Sequence, residues 1–347
     1  MKEEKPKKWT LKALAKKLDV SVATMSNAFK RPDQLSPQLR DYILKECLKL
    51  GYAGPSSVPG SLRSKQTGIV GVLLSNHLGY SFSDEVAHQF LEGIASVLEK
   101  DNLGMLIMSS RPTIEQTFYL ESFVDKFIVY GPPKREIRDR LLKQSKPMVA
   151  VDFTLDGYAS INIDNYKSAF NCAKHAMSQP SADVAVLGLG LFAANVVCRV
   201  SPDIVLKPKS ITVQRLNGFV DAAAEKSISI PSERIWNIPD NTHKMAYQAA
   251  REALTSSPRP SLLLCMSDRI ALSALKAARE LELRVPEDVR ITGFDDIPES
   301  SSQHPSLTTI HQKSREKGKL AAQMLVGIIP SSNMTLKTDL VIRQSCP

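Results

Sequence analysis

The 347 residues include 45 Lys and Arg against 36 Asp and Glu, a formal net charge of +9, and the 43% apolar content is that of a globular chain of about two domains. No stretch approaches the roughly 18 apolar residues of a membrane span, and the opening Met-Lys-Glu-Glu-Lys-Pro-Lys-Lys-Trp lacks the apolar core of a secretory signal, so a cytoplasmic protein is expected. Five cysteines and six histidines are scattered without Cys-x-x-Cys or His-x-x-x-His spacing, which argues against zinc or a disulfide framework, and no cofactor is expected.

The charge is uneven. Residues 1–66 hold fourteen basic and six acidic side chains, whereas the other 281 hold 31 and 30. A polyanion-binding module is therefore expected ahead of a nearly neutral domain with a different role. Within the basic part, Thr10 is placed to cap a helix whose apolar positions Leu11, Leu14, Ala15 and Leu18 recur at helical spacing. Asp19 tolerates a turn, and Ser21 caps a second short helix through Ala23, Met25, Ala28 and Phe29. Ser36-Pro37, a cap followed by proline at the first helical position, opens a third helix that ends at Gly51. Two short helices joined by a tight turn and braced by a third make a helix-turn-helix unit, whose second helix enters the DNA major groove.

Residues 53–67 are rich in turn formers and read as a linker. From residue 68 short apolar runs alternate with amphipathic stretches. Strands are expected at Gly68–Leu74, Leu103–Met108, Phe127–Tyr130, Met148–Asp152, Ala159–Ile163, Val184–Gly188, Leu262–Met266 and Val289–Phe294, with helices between most of them. Such alternation predicts α/β architecture, parallel sheets covered on both faces, and the length predicts two doubly wound lobes with a ligand at the carboxyl ends of the strands. Polar residues gather at those ends: Asp152, Asp164-Asn165, Ser267-Asp268 and Asp295-Asp296. One strand-end carboxylate is often only a helix cap, but four at one rim suggest a polar site. The stretch Leu189 to Lys209 has no clear pattern and reads as a possible insertion.

The runs Thr10-Leu-Lys-Ala-Leu-Ala15, Val20-Ser-Val-Ala-Thr-Met-Ser26, Leu35-Ser-Pro-Gln-Leu-Arg40 and Leu50-Gly-Tyr52 resemble the DNA-binding head of the LacI/GalR family of transcriptional regulators. Met266-Ser-Asp-Arg-Ile-Ala271, Val285-Pro-Glu-Asp-Val289, Gly293-Phe-Asp-Asp296 and Pro305-Ser-Leu-Thr-Thr-Ile310 resemble its effector domain, itself similar to periplasmic sugar-binding proteins. The resemblance spans about residues 10 to 320. It implies a small all-α helix-turn-helix head (1–56), a hinge (57–67) and an α/β effector and dimerisation domain of two doubly wound parallel-sheet lobes (68–347).

By that resemblance Val22, Ala23 and Asn27 read base edges, Asn27 replacing a common arginine so that adenine becomes the plausible partner. Thr10, Ser21, Thr24, Ser26 and Arg40 contact phosphates, and Leu62 wedges into the minor groove, although Pro59 and Gly60 disfavour a hinge helix there. Effector residues are implied at Tyr80 and Phe82, which would stack on a ring, at Asp164 and Arg215, at Asn241, whose polarity favours hydroxyls over a purine, and at Asp268, which would take two hydroxyls. The expected partners are a near-palindromic DNA operator, a second copy of the chain and a sugar or sugar derivative, with no membrane. A protein-controlled regulator, a cytoplasmic solute-binding protein and an enzyme on this fold are the rivals. No Gly-x-Ser-x-Gly elbow, phosphate loop or dinucleotide fingerprint is present to support the last.

Overall fold

A computed structural model describes residues 9–31, 34–50, 52, 67–110, 121, 123–179, 183–204, 206–208 and 210–347; Leu62, Pro59 and Gly60 lie outside them. The chain divides into two compact units: residues 1–78, 99–129 and 133–148 in the first, and 79–98, 130–132 and 149–347 in the second. In chain order the elements are α1 (Leu11–Lys17), α2 (Val22–Lys30), α3 (Pro37–Lys49), β1 (Ile69–Leu74), α4 (Leu78–Ser81), α5 (Glu85–Leu98), β2 (Gly104–Ser109), β3 (Lys126–Tyr130), α6 (Arg135–Gln144), β4 (Met148–Val151) and β5 (Ala159–Ile163). There follow α7 (Asn165–Ala176), β6 (Val184–Leu189), β7 (Cys198–Arg199), α8 (Ile211–Ala224), β8 (Ile235–Ile238), α9 (His243–Leu254), β9 (Leu262–Cys265), α10 (Asp268–Glu280), β10 (Arg290–Thr292), α11 (Pro298–Ser302), β11 (Thr309–His311), α12 (Ser314–Val326), β12 (Met334–Leu336) and β13 (Asp339–Val341).

In the first unit the three predicted head helices form where their caps lie. Asp19 takes a left-handed conformation (φ 54°), which Asp adopts more readily than most residues, and so turns the chain between α1 and α2. Leu14, Ala15, Leu18, Met25, Ala28, Ile43 and Cys47 form one buried cluster, a core made by three short helices that none could bury alone. The same unit holds β1 and β2, parallel from Ile69 opposite Gly104 to Leu74 opposite Ser109. On the other side of β1, Asp125 N–H donates to Ile69 O at 2.9 Å at the start of β3.

The second unit is α/β throughout. β4, β5 and β12 run parallel, with β5 in the middle. A five-stranded sheet has the order β10-β9-β6-β8-β7, parallel except at the β7 edge, and β11 pairs antiparallel with β13. Its central strands are apolar along their length: every residue of β9 is buried, so helices cover both faces. Strands β7, β8, β11, β12 and β13 are not expected from the pattern. β8 is four residues long and interrupted by Asn237, which is buried because its Oδ1 accepts from Leu191 N–H at 2.9 Å. The supposed insertion between Leu189 and Lys209 supplies the edge strand β7 and buries Leu191 and Val200 in the core, so part of it belongs to the sheet.

Helices meet in this unit at glycines. A Cβ on Gly93 of α5 would stand 2.0 Å from Arg315 O, one on Gly318 of α12 would stand 2.1 Å from Phe90 O, and one on Gly218 of α8 would stand 2.4 Å from Tyr166 O. These contacts are backbone against backbone, so a methyl group forces helices apart rather than rotating a side chain. Gly93→Ala is expected to lower stability by about 1–3 kcal/mol, read as a fall in the thermal midpoint; an unchanged midpoint would mean α5 and α12 yield freely.

Near the C-terminus Asp296, itself left-handed (φ 58°), accepts from Arg343 at 2.7 Å and faces His311 Nδ1 at 3.0 Å. Burial pushes the Asp296 carboxyl up, but the hydrogen bonds from His311 and Arg343 outweigh it and hold it below the ordinary carboxylate range. A depressed carboxyl stabilises the fold above its unfolded value, near pH 4, and the contribution is lost as pH falls through the lower folded value. Urea unfolding of the native chain and of Asp296→Asn should therefore differ at neutral pH and converge in acid.

Candidate DNA-reading and ligand sites

The head's recognition element is set by its cap. Ser21 Oγ accepts from Thr24 N–H at 2.9 Å and shares a hydrogen bond with Thr24 Oγ1 at 2.8 Å, fixing the first turn of α2. Val22 is 47% exposed and Ala23 is exposed beside it, while Met25 and Ala28 turn into the core. Asn27 lies one turn beyond Ala23 on the same face, half-buried, and its Nδ2 donates to Gln34 Oε1 at 3.1 Å. A bidentate adenine contact takes that amide as well as the carbonyl, so Gln34 would have to release it.

Lys12, Lys16, Lys17 and Lys45 are exposed, and Lys17 Nζ lies 4.9 Å from the Trp9 ring centroid. Thr10 Oγ1 accepts from Ala13 N–H at 3.2 Å, so Thr10, Ser21 and Thr24 all act as cap groups at the head's exposed helix starts; Ser26 is half-buried. Arg40 Nε donates to Ala28 O at 3.3 Å and ties α3 to the last turn of α2.

The second unit gathers a polar cluster at its strand ends. Asp152, at the end of β4 and left-handed (φ 62°), accepts from Lys317 Nζ with both oxygens, at 2.8 and 2.9 Å. Gln312, after β11, accepts from the same ammonium at 3.1 Å and donates through Nε2 to Asp295 Oδ1 at 2.7 Å. Arg215 of α8 lies 3.9 Å from Asp295, donates to Asn165 Oδ1 at 2.9 Å and to Met266 O at 2.8 Å, and stacks over Phe294 at 3.6 Å. Burial pushes Asp295 well above the usual carboxylate range, only partly opposed by Arg215.

Tyr130, stacked on Phe90 with centroids 4.3 Å apart, faces this cluster; burial first, then the charges of Asp152, Asp84 and Asp295, push its phenol up. Tyr80 is hydrogen-bonded to Asn241 and is raised to about 12 by burial and by Asp84. Arg269 donates to Asn241 O at 2.9 Å and Ser83 O at 2.6 Å and lies 3.9 Å from Asp84.

Of the residues expected from the sequence, Tyr80, Arg215 and Asn241 belong to this cluster. Asn241 is buried, its Oδ1 accepting from Ser267 Oγ at 2.8 Å. Phe82 is 53% exposed. Asp164 is exposed and caps α7, accepting from Lys167 N–H at 2.8 Å; the group that reaches Arg215 is its neighbour Asn165.

Asp268 also departs from expectation. It is fully buried, and its oxygens accept from Ile297 N–H at 3.0 Å, Ser300 Oγ at 2.7 Å and Thr309 Oγ1 at 2.5 Å, so its acceptors serve the fold rather than a ligand's hydroxyls. The strand-end carboxylate that faces Arg215 is Asp295. Tyr130, Asp84, Gln312 and Lys317 carry no sequence signal: in Ser314-Arg-Glu-Lys317 the lysine reads as part of a solvated helix start. Among the described residues no group of three His, Cys, Asp or Glu could hold a metal. Asp268→Ala is expected to strand three buried donors and to lower stability by about 3 kcal/mol or more, seen in thermal unfolding; a stable variant would return Asp268 to the ligand site.

Residues 203–346 match the family model of the periplasmic binding protein-like domain. A helix-turn-helix-type transcriptional regulator of Mycolicibacterium smegmatis is 33% identical over 92% of this chain and 90% of its own length. The ribose operon repressor of Haemophilus influenzae is 25% identical over 97% of this chain and 96% of its own. A crystal structure of a LacI-family transcriptional regulator from Corynebacterium glutamicum superposes with a TM-score of 0.70 at 24% identity, covering 97% of this chain and 98% of that one. With a basic helix-turn-helix head ahead of an α/β binding domain, and a relative this similar along nearly the whole length, the chain belongs to the LacI/GalR family of transcriptional regulators.

Proposed function

We propose that this regulator is a cytoplasmic, nucleoid-bound repressor that acts as a homodimer on a near-palindromic operator and answers to a small polar ligand, a sugar or sugar derivative. The observation that carries the DNA half is the first turn of α2. Ser21 holds it so that Val22 and Ala23 are exposed, in a stretch, residues 1–66, that carries a charge of +8. Val22 and Ala23 offer apolar contact, for instance to a thymine methyl, and Asn27 offers an amide to adenine. The cap hydroxyls of Thr10, Ser21 and Thr24, with Ser26, Arg40 and the exposed lysines, position the head on phosphates. Residues 1–56 form the head, 57–67 the hinge with Leu62 as its minor-groove wedge, and 68–347 the ligand-binding and dimerising part.

The ligand half rests on the cluster of Tyr80, Tyr130, Asp152, Asn165, Arg215 and Asp295, which mixes aromatic rings with forked donors and acceptors as hydroxyl recognition requires. The name of the ribose operon repressor is consistent with a sugar. A separate groove of about 460 Å³ on α9 and α10, lined by His243, Tyr247, Leu272, Lys276, Arg279 and Glu299, has both charges and an apolar floor. We assign this groove to contact with the second copy, on its apolar floor. Ligand would shift a two-state equilibrium of the binding domain and so change operator affinity.

Selection from a random DNA pool tests the reading. Paired half-sites are expected. Asn27→Ala should change the base selected at one position of each half-site. Lys16→Ala should weaken binding to all sequences and reduce the slope of log affinity against log salt by about 1. Affinity independent of salt, or no paired half-sites, would sink it.

A further inference from the structure

Lys317 is the most unusual cation of the second unit. Its side chain is 0% exposed, although lysine is almost never fully buried without a partner. It stands next to Gly318, where α12 approaches the Phe90 carbonyl of α5 too closely for a Cβ, so the helix contact brings Lys317 inward. All three of its N–H bonds have acceptors: both oxygens of Asp152 and Oε1 of Gln312. Lys317 therefore has no donor left for a ligand. The bond to Gln312 also orients that amide, so that Nε2 donates to Asp295. One ammonium thus fixes two carboxylates, Asp152 directly and Asp295 through Gln312.

The other cations of the cluster are matched in the same way. Arg215 faces Asp295 at 3.9 Å, and Arg269 faces Asp84 at 3.9 Å. With Lys317 on Asp152, each of these three cations faces a carboxyl group of its own.

We propose that Lys317 is a positioning residue that sets the ligand class, presenting Asp152 and Asp295 as a fixed pair of hydroxyl acceptors and leaving no surplus positive charge, so that the site takes an uncharged polyol and rejects its phosphorylated form. A neutral polyol donates its hydroxyls to the carboxylates and accepts from Arg215. A phosphate would bring a charge of roughly −1.5 to −2 against carboxylates in a weakly screened site, with every cation already paired. This inference rests on the ligand half of the proposed function.

Calorimetric titration and thermal shift of the full chain test it with matched pairs: ribose and ribose 5-phosphate, glucose and glucose 6-phosphate, myo-inositol and its monophosphate, with cellobiose as a further neutral probe. At least one neutral member should bind, with its phosphorylated partner weaker by about tenfold or more. Lys317→Met should weaken the neutral ligand and make its binding depend on pH. The variant leaves Asp152 without its cation in a site where carboxyl groups are withdrawn from water, and burial disfavours a charged carboxylate. The profile of the native chain is the reference against which that change is read. A loss of packing alone would weaken binding without introducing the pH dependence.

If Lys317→Met does not fold, Lys317→Met with Asp152→Asn removes both charges together and should fold, binding the neutral ligand weakly and without pH dependence. A phosphorylated member that binds as well as its neutral partner overturns the inference while sparing ligand control, and so does Lys317→Met with native affinity and profile. If no probe in the panel binds while operator binding persists, ligand control itself fails and the inference falls with it.

Discussion

Carboxylates withdrawn from water at the ends of parallel strands constrain this molecule more than any other feature. Asp268 is fully buried, Asp295 is buried, and Asp152 is 11% exposed. Each loses hydration worth several kcal/mol and must recover it from donors held in place. The donors come from later parts of the chain: Ile297, Ser300 and Thr309 for Asp268, Lys317 for Asp152, and Gln312 for Asp295. Satisfying these groups therefore anchors residues 295–317 against strands formed by residues more distant in sequence. Asp296 repeats the arrangement with Arg343 near the C-terminus.

Close backbone approach at Gly93, Gly318 and Gly218 serves the same end. Helices that touch without intervening side chains fix the direction of residues beside the contact, and Lys317 is such a residue. Phe90, whose carbonyl lies against Gly318, carries its ring onto Tyr130. One packing contact thus orients both the buried ammonium and the aromatic wall of the polar cluster. The head is built differently. Its caps join residues three positions apart, and among the described residues its core holds seven buried apolar side chains within residues 14–47.

That difference governs what could be read from residues alone. The three head helices, their caps and the turn at Asp19 were legible because a cap or a 3.6-residue period depends on near neighbours. The buried strands were legible for the same reason: continuous apolar runs have few other uses. β8 was not, since Asn237 breaks its run and is tolerated only because Leu191 and Phe192 meet it in space. At the candidate site, four strand-end carboxylates marked the right region without assigning roles. Asp164 and Asn165 are adjacent, yet one caps a helix and the other holds Arg215.

The amino-acid sequence by itself determined a basic, locally folded reader joined to a neutral α/β domain with a polar rim, because charge, caps and hydrophobic period are properties of short stretches. Tertiary structure alone decided which rim residues serve the fold and which face the cluster. Asp268 and Asp295 look alike in sequence, but three donors enclose the first, while the second is held by Gln312 in front of Arg215. Lys317 meets Asp152 across 165 positions. The role of a buried charge depends on its partners, and these partners lie too far apart along the chain for any local pattern to record.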